Sequence, residues 1–180
     1  MRYGILGNTR AWRSDGSEVP LGGPARRALL ALLLIRPGET VSADRIIDLL
    51  YGEQPPGNAQ HAVQSQVSRL RGDGIPVERT AAGYRLQAGP DEVDAQRFLS
   101  LATAGRQALE SDPGRAAELL REALGLWRGD ALADLGEAHA VPLEERRLAA
   151  REDLVEADLR RGEHRAAIPE LTALIEAHPL

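Results

Sequence analysis

The change of pattern at Gly89-Pro90 constrains the chain more than any other feature. Before it, short segments with strand character are interleaved with helical ones. After it, only helical periodicity remains. A mixed layer followed by a run of helices predicts two domains, residues 1–89 and 90–180.

Within the first, residues 2–7, 11–13 and 18–21 read as short strands separated by Gly7-Asn8 and Ser14-Asp15-Gly16. Gly22-Gly23-Pro24 then opens a helix over residues 25–35, with Pro24 in the first turn, where a missing N–H costs nothing. This helix is apolar on most sides and is expected to be deeply packed. A second helix, 43–51, starts behind Ser42 as N-cap and leaves through Gly52. A third, 59–71, starts behind Asn58 and stops at Gly72-Asp73-Gly74. Residues 76–80 and 84–87 then form a hairpin around Ala81-Ala82-Gly83. In the second half, helices are expected over 94–111, 113–127, 142–161 and 165–178, paired as the hairpins of a TPR-like array that continues past Leu180.

Charge separates the halves. Residues 1–89 carry 11 Arg against 8 acidic residues, net +3, and residues 90–180 carry 11 Arg against 19, net −8. The first half suits nucleic acid and the second does not. All 22 basic residues are Arg, which with many Ala and Gly suggests a GC-rich coding bias and is not by itself a functional signal. With no Cys in the chain, a disulfide scaffold and thiolate chemistry are excluded. The N-terminus lacks a signal core, and the apolar run at 28–35 falls short of the ~20 residues of a membrane span. A cytoplasmic, nucleoid-associated protein with no membrane contact is expected.

The third helix carries the chemistry. At about 100° per residue, Val63, Val67 and Leu70 fall on one stripe, while His61, Gln64, Ser65, Ser68 and Arg69 cover the opposite side. Amide, hydroxyl and guanidinium groups read base edges in a major groove: Gln pairs with adenine, Arg with guanine, Ser with either. Taken alone, the same face also suits an ordinary solvated helix. Its context is two helices across a Pro-rich turn and then a hairpin, which is a winged-helix layout. The hairpin brings Arg79 and Thr80 to its tip, where a wing meets phosphates or the minor groove. Arg26 and Arg27, in the first turn of the first helix, are candidate phosphate contacts and equally candidate ion pairs. Arg71 lies on the flank, where it either reaches a phosphate or covers the core edge with its stem.

The residues then carry a resemblance. Residues 64–71, QSQVSRLR, followed by Ala82-Gly83-Tyr84-Arg85, resemble the DNA-binding domain of the Streptomyces antibiotic regulatory protein family, an OmpR-type winged helix. Residues 24–34, PARRALLALLL, fit its first helix. Residues 124–135, LGLWRGDALADL, and 156–180 resemble its bacterial transcriptional activation domain. The fold class implied is an α+β winged-helix domain followed by an all-α, TPR-like domain.

The resemblance also implies a transcriptional activator of a secondary-metabolite gene cluster. Such a protein would bind direct repeats in double-stranded promoter DNA, as two side-by-side protomers, and engage RNA polymerase holoenzyme. Gln64, Ser65 and Arg69 would face bases, and His61, Ser68, Arg71, Thr80 and Tyr84 would lie at the DNA backbone. Two departures stand out: Asp73 would repel phosphate, and the wing tip Ala81-Ala82 is uncharged. Both weaken a lone protomer and suit cooperative pairing.

No GxxxxGK[ST], HExxH or paired-His pattern is present, so no enzyme, cofactor or metal site is expected. The carboxylate runs near Glu144 and Glu152 stand beside Arg146, Arg147 and Arg151, where helical ion pairing accounts for them. The alternative function is a winged-helix and TPR-like adaptor that binds protein without specific DNA recognition.

Overall fold

PARRALLALLLI has too few polar positions to face water on any side but one, and helix α1 (Pro24–Ile35) accordingly buries every residue from Ala28 to Leu34. The computed structural model describes residues 1–52, 54–165, 168 and 171–172. Around α1 pack α2 (Ala43–Tyr51), α3 (Ala59–Gly72) and the strand β5 (Gly83–Leu86). Ser42 caps α2, its hydroxyl accepting from Arg45 N at 3.2 Å. Asn58 occupies the N-cap of α3 but its side chain accepts no hydrogen bond, unlike the expectation for a cap residue.

Two small antiparallel sheets complete this unit. β1 (Arg2–Gly4) pairs with β2 (Arg10–Trp12), Tyr3 opposite Ala11. The strand expected at 18–21 reduces to a single bridge between Glu18 and Trp12. The second sheet has the order β3-β5-β4, with β3 (Val41–Ser42) and β4 (Val77–Arg79) flanking β5. Sequence reading missed β3. Its two residues carry no periodicity of their own, and they form a strand only because Val41 meets Tyr84 and Ser42 meets Gly83. Gly83, at φ +157°, is required there: a Cβ would run into the Val41 carbonyl.

Packing divides the chain into two units: Met1–Asp94 together with Arg128–Ala140, and Ala95–Trp127 together with the residues from Val141. The observed packing differs from the expected boundary at 89/90 in two respects: the first unit runs on to Asp94, and a later segment joins it. Residues 128–140, which fall between the expected helices 113–127 and 142–161 of the second half, pack in the first unit. Arg128 N donates to Leu6 O and Leu132 N to Ile5 O, both at 2.8 Å, so the returning segment satisfies main-chain carbonyls beyond β1.

The second unit is helical. α4 (Asp94–Ala108) follows a 3-10 turn at Pro90–Glu92. Asp112 caps α5 (Pro113–Leu124) by accepting from Arg115 N at 2.9 Å. Phe98 meets Trp127 edge to face at 5.2 Å, and the Arg147 guanidinium stacks 4.4 Å from the Trp127 ring. Asp158, 3% exposed, takes both carboxylate oxygens to Arg121. α6 (Glu137–Arg160) begins before Pro142 rather than at it; the proline lies near the helix start, where its missing N–H removes one bond only. The helix expected at 165–178 lies largely outside the described residues. No described helix is long and apolar enough to cross a membrane.

Candidate nucleic-acid interface

Helix α3 obeys its pattern. Val63, Val67 and Leu70 are 1%, 2% and 0% exposed, so burial of this stripe against α1 sets which face looks out. His61, Gln64, Ser68 and Arg69 are exposed and Ser65 is half-buried. None of the five side chains bonds to another described residue, so their donors and acceptors are free for a ligand. Arg69 stands in the last turn of α3, where the helix dipole favours a cation.

The wing stands beside this face. β4 and β5 pair with Arg79 opposite Tyr84, and Thr80 N donates to Gly83 O at 2.9 Å to close the turn. Thr80 Oγ1 accepts from the amides of Ala82 and Gly83, at 3.3 and 3.1 Å. That hydroxyl shapes the tip and retains its own hydrogen to donate. Arg79 is exposed and has no partner among the described residues, whereas Arg85 is tied to Glu78 at 2.6 Å across the hairpin.

A cleft between helix and wing is lined by Gln60, Gln64, Arg79 and Thr80. Sequence reading missed Gln60. It sits one turn before Gln64, and the i,i+4 spacing of the two amides is the signal that finds it.

Other expected site residues make bonds or contacts within the fold. Tyr84, expected near the DNA backbone, is 6% exposed, turned inward by alternation along β5, and lines the floor of the same cleft. Arg27 donates from Nε to Asp134 at 2.7 Å and from Nη1 to the Gly22 carbonyl at 2.7 Å. Burial pushes the Asp134 carboxyl up, but the Thr9 amide and the Arg27 guanidinium outweigh it and hold it below the usual carboxylate range. Arg26 pairs with Asp73 at 3.0 Å, and Arg71 donates from Nε to Val77 O at 2.6 Å. Of the two alternatives open for Arg26 and Arg27, the ion pair is the one observed. Asp73, expected to repel phosphate, is engaged with Arg26 instead.

The exposed face is a row of uncommitted amide, hydroxyl and guanidinium groups beside a hairpin with one free arginine. It is equipped for hydrogen bonding to base edges and phosphate oxygens.

Comparison with known proteins follows the same division. Residues 16–73 match the family described as transcriptional regulatory protein, C terminal, and residues 93–180 match the bacterial transcriptional activator domain. The chain is 42% identical over 189 residues to the regulatory protein AfsR of Streptomyces coelicolor, covering 100% of this chain and 19% of that protein. It is 40% identical over 170 residues to the transcriptional regulator RedD of Streptomyces coelicolor, covering 86% and 48%. It is 33% identical over 199 residues to the regulatory protein DnrI of Streptomyces peucetius, covering 100% and 73%. The chain therefore spans 19% of the length of AfsR and 48% of RedD. Among solved structures, Mycobacterium tuberculosis EmbR in complex with a low-affinity phosphopeptide is similar, with a TM-score of 0.90 and 35% identity, covering 99% of this chain and 50% of that one.

Proposed function

The chain belongs to the Streptomyces antibiotic regulatory protein family, whose members are transcriptional regulators and not enzymes, and from that premise we propose that it activates transcription by binding promoter DNA sequence-specifically. In this reading α3 enters the major groove. Gln64, Ser65 and Arg69 face base edges, with Gln60 added to them, and His61 and Ser68 approach the flanking backbone. The wing contributes Arg79 and Thr80 to phosphates or the adjacent minor groove.

The observation that supports this most is the uncommitted polar face of α3, aligned beside a wing whose Arg79 is unpaired. A net charge of +3 over residues 1–89 gives modest counterion release, so affinity leans on base readout and on a neighbouring protomer. Two protomers on direct repeats one helical turn apart would share one face of the duplex. The acidic helical unit would then be offered to RNA polymerase holoenzyme, in the cytoplasm and at a secondary-metabolite gene cluster.

Selection of bound duplexes from a random library, at low and moderate salt, tests this. Enrichment of a tandem repeat spaced by about one turn is expected. Recovery of sequences indistinguishable from the input pool would overturn it and favour a protein-docking role.

A further inference from the structure

The turn that joins the recognition helix to the wing is held from both sides by arginines. α3 ends at Gly72 and β4 begins at Val77, so residues 73–76 connect them. The helix is closed by main-chain bonds from Asp73 N to Arg69 O, Gly74 N to Arg71 O and Ile75 N to Leu70 O, at 3.0, 3.0 and 2.9 Å. Gly74 takes a left-handed φ of +89°, as helix terminations of this kind require. Two side chains then tie the turn down. Arg71 Nε reaches over it to Val77 O at 2.6 Å, and Arg26 Nη1, from the first turn of α1, holds Asp73 Oδ2 at 3.0 Å. The Arg26 and Asp73 side chains are 15% and 28% exposed, so this pair is partly withdrawn from solvent.

We propose that Arg71 and Arg26 are positioning residues for DNA recognition, which set the wing relative to α3 and do not themselves bind phosphate. The inference rests on the DNA-binding function proposed above. Its physical basis is the uncharged wing tip: with Ala81 and Ala82 at the turn, the wing's free cation is Arg79 on β4, the strand that Arg71 grips. Placing Arg79 demands a fixed turn, and a turn ordered on folding need not be ordered again at the DNA.

Arg71→Gln in the full chain removes the charge and shortens the reach to Val77. In the free protein, wing amides at 78–85 are expected to exchange about tenfold faster while those of α1 are unchanged, the scale of one lost hydrogen bond. Duplex affinity is expected to fall about tenfold with an unchanged slope of log K against log salt, because no phosphate contact is lost. Combining Arg71→Gln with Arg79→Ala is expected to cost no more than the worse single change, since Arg71 acts through the wing; a merely destabilising change would add. Arg26→Gln is expected to repeat the pattern, and Arg71→Lys carries the same readouts where Arg71→Gln does not fold.

A salt slope reduced by about one in Arg71→Gln would make Arg71 a phosphate ligand and overturn the inference. So would additive losses with Arg79→Ala, or unchanged exchange in the wing. Wild-type protein that binds no duplex would overturn the proposed function and this inference with it, and is told apart because the exchange difference persists without DNA.

Discussion

Arg128 Nη2 meets Asp94 Oδ2 at 2.8 Å, joining the two residues that flank the helical stretch 95–127 in the chain. The same carboxylate accepts from Ile5 N at 2.8 Å and Leu6 N at 3.2 Å. Arg128 in turn donates to Asn8 O at 3.1 Å and lies 5.4 Å from the Trp12 ring. One ion pair therefore closes the point where the chain leaves the first unit and re-enters it, and its carboxylate satisfies the backbone that follows β1.

Asp94→Ala leaves the Ile5 and Leu6 amides, on residues 1% and 0% exposed, without their acceptor. A loss of about 3 kcal/mol is expected in urea unfolding followed by Trp fluorescence, and less for Asp94→Asn, which keeps one acceptor. A loss under ~0.5 kcal/mol would show that Asp94 is not the clasp.

Arg69 and Arg79 are expected to separate by kind. Arg69→Ala weakens specific binding by about 1–3 kcal/mol and relaxes the preference at one base pair. Arg79→Ala weakens all duplexes alike and lowers the salt slope by about one. Anisotropy titrations on the selected site and a scrambled one read both effects, and identical behaviour of the two variants would remove the assignment.

Tyr84 is a packing residue in this structure. Tyr84→Ala is expected to cost about 3–5 kcal/mol of stability, as for other buried aromatics. Tyr84→Phe is expected to leave DNA affinity unchanged, and a marked drop with the fold intact would return the hydroxyl to the interface.

Two carboxylates carry opposite pH signatures. Asp134 is held below the ordinary carboxylate range, so its contribution is complete above that range, about 3.9, and is lost as pH falls through its lower folded value. Asp153 is raised, first by burial, with Arg106 opposing and Glu156 and Glu152 adding. Its contribution is present at low pH and lost as pH rises through its folded value. At pH 7 Asp134→Asn is therefore expected to destabilise and Asp153→Asn to stabilise, with both differences shrinking toward pH 3. Thermal unfolding across this range checks the signs, and parallel curves for either variant would refute its assignment.

The two faces of α3 are legible in the sequence. The Val63, Val67 and Leu70 stripe and the polar face opposite it follow from helical spacing, and Pro24 and Ser42 mark helix starts by local chemistry. Gln60 was within reach of the same spacing argument. That Tyr84 is buried was not legible, because a four-residue strand shows too little alternation to reveal which face its neighbours will cover.

The sequence by itself determined the order of the helices and the hairpin of the first unit and the polar face of α3, because periodicity, capping and turn chemistry act between residues a few positions apart. Only the tertiary structure decided that 128–140 returns to the first unit, that Val41 becomes a strand against Tyr84, and that Arg26, Arg27 and Arg71 are engaged within the fold. Those outcomes depend on partners brought together by core burial, and an arginine that pairs with a distant aspartate looks the same in the sequence as one that awaits a phosphate.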